Sequence, residues 1–317
     1  MTADPSGDRQ AVSKSADAPG QVVARTGGDN SVNASYSYGF TPSTRVRILR
    51  GVAKVFVNIF RLNSNSPLST EICQLIQPKS VVKFKNETIL FRSGHGRLKW
   101  RAETFHTEEP LMLDWLTTFG SSDIFLDVGA NVGTYSVPAA LASKLVIAVE
   151  LDPSNLYCLY SNVHYNNVHN NVIIIPFAVG TSKQVIEVHY RDFSLGDALQ
   201  SVGRPQVLPT KNPSPHVLNQ LCIPIDTLFS DYNLPQPTKI KIDVDGNELL
   251  VVEGAWRTIS GAEEIYFEDN GLDEDVYILN RLASLNFEII RETPSLVDSR
   301  KSEKARNLLL RKTHLSK

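Results

Sequence analysis

Cysteine is scarce in this chain. Three of 317 residues, Cys73, Cys158 and Cys222, lie far apart with no C-x-x-C pair. That excludes a disulfide framework and the usual zinc-finger spacings, and reduced thiols point to a cytoplasmic setting. Long hydrophobic runs are missing too. No stretch of about 18 apolar residues occurs, so no membrane span is expected. The opening residues, MTADPSGDRQ, lack the positive-then-apolar order of a secretory signal. The glycosylation sequons at Asn33 and Asn86 then read as chance matches. An excess of charge of one sign is absent: 32 Lys and Arg against 34 Asp and Glu leave a net charge of -2. No nucleic-acid partner is expected from that balance. The histidines show no metal-ligand spacing, and no metal is expected.

What is present falls into distinct stretches. Residues 1–40 are Ser-, Gly-, Asp- and Asn-rich with no apolar period. They cannot offset the entropy of ordering and are expected to be a disordered tail. Residues 41–61 differ. Val46, Leu49, Val52, Ala53, Phe56, Val57 and Phe60 recur at helical spacing, and Arg45, Arg47, Arg50, Lys54 and Arg61 take much of the remainder. The pattern predicts a basic amphipathic helix. Packing on the following domain is the expectation for it, and contact with a membrane surface is the competing reading.

Residues 62–317 read as one domain. Its first part, about 75–105, is expected to be β-rich: SVVKFK and ETILFR around a turn at Asn86-Glu87, then RLKWRA as a further strand. A helix, EEPLMLDWLTTF, follows, with Pro110 tolerated in its first turn. From Asp123 onward strands alternate with helices: IFLDV, GTYSVPAALAS, LVIAVE, SNLYCLYSNVHYNN, VIIIPFAV, KIKIDV, NELLVVEGAWRTI, EIYFED and DEDVYILNRLASL. Such alternation implies βαβ units and a doubly wound, mostly parallel sheet. FEIIRE and ARNLLLRK lack a helix between them and predict an antiparallel pair at one edge. Residues 181–237 are long for one crossover. They contain a strand, VIEVHYRD, and a Gly- and Pro-punctuated stretch expected to shape a binding pocket.

Two motifs carry chemistry. Asp127-Val128-Gly129-Ala130-Asn131-Val132-Gly133 follows the first parallel strand and opens a helix. Gly129 allows a tight turn, Gly133 a close contact, and the exposed N–H groups can receive polar ligand groups. Asn131 stands where a dinucleotide fingerprint has its middle glycine. That weakens a pyrophosphate reading and suits S-adenosylmethionine (SAM), which carries a ribose and a charged amino-acid tail. Asp127 is then a candidate for the ammonium group. Glu150 ends the next strand, about twenty residues on, where a carboxylate can accept both ribose hydroxyls. Phe177 and Ala178, ending the third strand, are candidates for the adenine. Asp152-Pro153 begins a turn, with Ser154 as cap for the next helix. The second motif is Lys241-Ile242-Asp243-Val244-Asp245-Gly246-Asn247-Glu248. Crowded carboxylates at a strand end raise one another's pKa, as functional sites do.

The series DVGANVGTYS, VIAVELDP, FAVG, IPIDTLF and KIKIDVDGNELLVVEGA resembles the FkbM family of SAM-dependent methyltransferases over about residues 100–312. The family usually has Glu where this chain has Asp245. The resemblance implies a Rossmann-like class I methyltransferase fold, an α/β doubly wound seven-stranded sheet, mostly parallel with an antiparallel edge strand. It also implies SAM as cofactor and a hydroxyl acceptor on a small molecule, natural product or glycan. In-line transfer needs positioning and a base for the acceptor proton. Asp243, Glu248 and Glu268 are the catalytic candidates, with Asp245 and His106 behind them. Glu103 or Thr104 is placed near the methionine end. Asp127, Gly129, Asn131, Gly133, Glu150, Ala178 and Asp243 are the cofactor-binding set. A nicotinamide-dependent oxidoreductase and a non-catalytic, membrane-attached scaffold of the same fold are the alternatives.

Overall fold

The computed structural model describes residues 44–60, 67–190, 193–198, 201–202, 216–244, 246–295 and 305–313. The expected disordered tail and Asp245 lie outside the described residues. The chain divides after Arg50 into two units, Met1–Arg50 and Gly51–Lys317. Helix α1 (Thr44–Ile59) forms where the apolar period predicts it. Its Val52, Val55, Phe56, Val57 and Ile59 are exposed, so the burial expected for that apolar side is not found at these positions.

Helix α2 (Pro67–Leu75) precedes a hairpin of β1 (Lys79–Phe84) and β2 (Glu87–Arg92). Its turn is Lys85-Asn86, one residue earlier than expected, with Lys85 at φ 52°. RLKWRA is not a strand. It lies in helix α3 (Gly96–Glu103). Leu98, Trp100 and Ala102 alternate as a strand would, but Leu98 and Ala102 are also four residues apart and can share a helix face. Helix α4 (Pro110–Leu116) has the proline in its first turn, starts two residues later than expected, and buries Leu111, Met112, Trp115 and Leu116.

The remaining elements run in the predicted alternation. They are β3 (Ile124–Val128), α5 (Ser136–Ala142), β4 (Leu145–Val149), α6 (Pro153–Tyr165) and β5 (Val172–Ile175). Next come β6 (Gln184–Tyr190), β7 (Ser201–Val202), β8 (His216–Cys222), α7 (Ile225–Asp231) and β9 (Lys239–Ile242). Last are α8 (Glu248–Gly254), α9 (Trp256–Ser260), β10 (Glu264–Asp269), α10 (Asp273–Ser284), β11 (Phe287–Pro294) and β12 (Arg306–Lys312). The main sheet has seven strands in the order β11-β12-β10-β9-β3-β4-β5. Strands β10, β9, β3, β4 and β5 are parallel, and β12 is antiparallel to both its neighbours. The antiparallel strand therefore lies one in from the edge. Among the described residues, the long insertion holds a second sheet, β7-β6-β8, where most of the stretch was expected to be irregular.

The central strands are buried on both faces, which is why they read as apolar runs. One face packs Leu126, Val128, Ile240, Ile242, Ile265 and Phe267 against Leu228, Val251, Ile259 and Ile278. The other packs Phe125 and Tyr266 against Trp115, Phe119 and Val137. Polar side chains interrupt this second face in register: Asp127 of β3, Lys241 of β9 and Tyr266 of β10 stand side by side across three strands. Strand order reverses between β3 and β9, so their carboxyl ends open a crevice where such sheets take ligands.

Candidate functional site

The crevice is a cavity lined by Gly129, Asn131, Glu150, Phe177, Asp243 and neighbouring apolar residues. The turn after β3 builds its floor. Gly129 has φ 85° and Gly133 φ 82°. A β-carbon on Gly129 would lie 1.8 Å from the Asp243 carbonyl oxygen, so only glycine lets the two strand ends meet. At Gly133 it would meet Leu159 Cδ1 at 2.6 Å, which is how α6 packs so close to the turn. Asn131 adopts φ 52°, a left-handed conformation that asparagine tolerates.

Glu150 is buried at the end of β4. It accepts hydrogen bonds from the Asn131 N–H at 2.7 Å and the Asp152 N–H at 2.7 Å. Burial dominates and raises its pKa to about 7, although those two N–H groups favour the charged form. Asp127 is buried beneath the turn. Its Oδ2 accepts from Ser136 Oγ at 2.5 Å, while its buried Oδ1 has no hydrogen-bond partner among the described residues. Burial raises its pKa as well.

Not every expected residue reaches the cavity. Phe177 and Val179 line it, whereas Ala178 points away and its backbone pairs with β8 and the residue after it. Alternation along an extended segment allows one or the other, and the structure selects the flanking pair. Glu248 is buried and turned onto its own loop, accepting from the Gly246 N–H at 3.0 Å. It also accepts from the Val244 N–H at 3.3 Å and does not line the cavity. Glu268 is buried on β10, where its Oε1 accepts from Ser295 Oγ at 3.3 Å, also outside the cavity lining. His106 is exposed. The cap of α6 is Asp152, not Ser154. Its Oδ1 accepts from the Ser154 N–H at 2.7 Å and the Asn155 N–H at 3.2 Å, with Pro153 in the first turn.

Three residues that sequence reasoning did not assign, Lys241, Glu109 and Tyr266, lie outside the cavity lining and form a polar network with Asp243. Lys241, buried, donates to Asp243 Oδ2 at 2.7 Å. Burial opposes its charge, but Asp243, Asp127 and Glu109 hold its pKa above the ordinary lysine value. Glu109, at the N-terminus of α4, accepts from the Tyr266 hydroxyl at 3.0 Å. Burial raises its pKa to about 7, against the pull of Lys241 and with a push from Asp243 and Glu108. One signal was available: lysines at alternate positions of a strand otherwise apolar, K-I-K-I, require buried partners.

The insertion also touches the turn. Asn131 Nδ2 and Asn155 Nδ2 donate to the Asp197 carbonyl at 2.8 and 2.9 Å, and the Asp197 carboxylate pairs with Arg97 of α3.

Residues 127–289, beginning at the Asp127 turn and running past β10, match the family described as the methyltransferase FkbM domain. The chain belongs to the FkbM methyltransferase family. Among curated proteins, this FkbM chain is similar to the hexuronic acid methyltransferase AglP of Haloferax volcanii, with 23% identity over 195 residues, 61% of this chain and 75% of the relative. Among solved structures it is similar to a methyltransferase FkbM from Methylobacillus flagellatus, with 19% identity and a TM-score of 0.45. That match covers 68% of this chain but only 52% of the solved one, so the chain spans about half its length. A Streptococcus pneumoniae protein described as a putative tRNA (m1A22) methyltransferase, solved with S-adenosyl-L-methionine, matches at 14% identity and a TM-score of 0.40, over 65% of this chain and 75% of that one.

Proposed function

We propose that this FkbM protein is a SAM-dependent methyltransferase acting on a hydroxyl of a glycan or other hydroxylated small molecule. The observation that carries the reading is the cavity that joins Gly129, Asn131, Glu150, Phe177 and Asp243 at the carboxyl ends of the strands. The residues fit SAM. Glu150, already accepting two N–H bonds, keeps lone pairs for the ribose hydroxyls. Asp127 Oδ1 is the natural acceptor for the ammonium group, and Phe177 and Val179 supply apolar contact for the adenine. When bound, SAM supplies an electrophilic methyl group on a sulfonium.

The chain's own part is to orient, exclude water and take a proton. Asp243, held by Lys241, stands between the donor cavity and the polar face of the sheet. Glu109, with a pKa of about 7, is matched to accept the hydroxyl proton near neutral pH. Tyr266 fixes one of its oxygens. The acidic surroundings, Asp127, Asp243, Glu108 and Glu109 around one buried lysine, favour a neutral hydroxyl over an anionic acceptor by simple charge repulsion.

Calorimetric titration with SAM and with S-adenosylhomocysteine tests the donor. Wild type should bind both. Glu150→Ala should lose most of the affinity while still unfolding cooperatively, and Gly129→Ala should abolish it. Folded wild type that binds neither compound overturns the reading. Transfer of labelled methyl groups to a panel of neutral glycosides and hexuronic acids tests the acceptor, with neutral glycosides expected to be preferred.

A further inference from the structure

Helix α1 has no role in the site above. Its apolar positions Ile48, Val52, Val55 and Ile59 follow one another at intervals of four, three and four residues, so they share a face. Leu49, Phe56 and Phe60 widen that face on one side, and all seven side chains are exposed. The Phe56 and Phe60 rings touch at a 42° tilt, with centroids 4.4 Å apart. Positions 47, 50 and 54, all cationic, run along the opposite edge at the same helical spacing, and Arg45 alone falls among the apolar positions. Between Thr44 and Phe60 there is no acidic residue, although the whole chain carries a net charge of -2.

The occupant of this face must cover a broad apolar arc and neutralise a cationic margin. A second copy of the helix would set like charges beside one another. A protein groove reads a narrow line of anchors at i, i+3 or i+4, and i+7, and this arc is wider. A bilayer interface accepts a broad arc, with the cations lying at headgroup level. Among the described residues no helix is long and apolar enough to cross a membrane, so contact is at the surface. We propose that α1 docks this protein on an anionic lipid surface, with Ile48, Leu49, Val52, Val55, Phe56, Ile59 and Phe60 in the acyl boundary and the cationic helix positions 47, 50 and 54 on the headgroup side.

Flotation of the full chain with vesicles tests this. The protein should rise with vesicles of phosphatidylcholine and phosphatidylglycerol and remain behind with phosphatidylcholine alone. Added salt should weaken binding by screening. Val52→Glu with Phe56→Glu should abolish flotation, and Arg47→Glu with Arg50→Glu and Lys54→Glu should reduce it at least about tenfold. SAM affinity of every variant should stay at the wild-type value, which separates loss of docking from loss of fold. Absence of flotation on anionic vesicles overturns the proposal, as does equal flotation on neutral ones. A lipid-free dimer that Phe56→Glu dissociates would assign the face to a second copy and overturn it too.

Discussion

Glu109 carries the sharpest prediction at the scale of single residues. If it takes the acceptor proton, the methyl-transfer rate should rise with pH and reach half its plateau near pH 7, the value to which burial raises this group. Glu109→Gln should remove that limb and lower the rate by about 10²–10⁴-fold. The Tyr266 hydroxyl donates to the carboxylate and favours its charged form. Tyr266→Phe should therefore move the midpoint upward rather than remove it. A pH–rate profile for each variant with an accepted glycoside decides the matter. A wild-type limb surviving in Glu109→Gln would move the proton to another group, with Asp243 of the cavity lining the first to test. Sequence reasoning reached Asp243 because it ends a strand inside a motif. It did not reach Glu109, whose only local mark is its place before Pro110.

At the scale of elements, α6 does more than cross over. Asn166 Oδ1 accepts from the Leu90 N–H at 2.8 Å, and its Nδ2 donates to the Leu90 carbonyl at 2.8 Å. The side chain thus takes the place of a neighbouring strand on β2. Asn162 adds an acceptor for the Arg92 N–H at 2.6 Å and a donor to the Val132 carbonyl at 2.8 Å, joining hairpin, helix and glycine turn. Asn166→Ala leaves both Leu90 groups without that partner. It should cost about 1 kcal/mol and lower the melting temperature by roughly 2–4 °C, with SAM affinity unchanged. Thermal unfolding beside calorimetry checks both halves. The break between α8 and α9 has a similar remote cause. Asp226 of α7 accepts from the Arg257 N–H at 2.9 Å and the Thr258 N–H at 2.8 Å, capping α9 from outside, so one predicted helix becomes two.

For the whole molecule, the donor site sets a pH dependence of stability. Glu150 has a pKa near 7 when folded, against an ordinary glutamate value of 4.5. The folded state therefore holds a proton that the unfolded chain has released between those values. Its contribution is full below about pH 4.5 and is lost as pH rises through about 7, up to about 3 kcal/mol. Unfolding temperatures measured from about pH 5 to pH 8 should fall more steeply for wild type than for Glu150→Gln. Equal slopes would mean that the carboxylate is better solvated than its burial implies. SAM should reverse part of the loss, since ribose hydroxyls donating to Glu150 favour its charged form.

The sequence by itself determined the order of strands and helices, the glycine turn, and the carboxylate at the end of β4. These depend on patterns within a few residues: apolar runs, periodicity, and glycines where φ must be positive. The seven-stranded sheet followed because alternating elements with right-handed crossovers leave few arrangements. Only the tertiary structure decided which side chains meet. Strand β9 inserts between β3 and β10, so Lys241 comes beside Asp127, more than a hundred residues earlier, and beside Tyr266. Glu109 then arrives from α4, and Glu248 turns to its own loop instead of the cavity. RLKWRA fits both periods, and the structure makes it a helix. Local pattern states that a polar group will be buried. Its partner is set by strand adjacency, which no local period encodes.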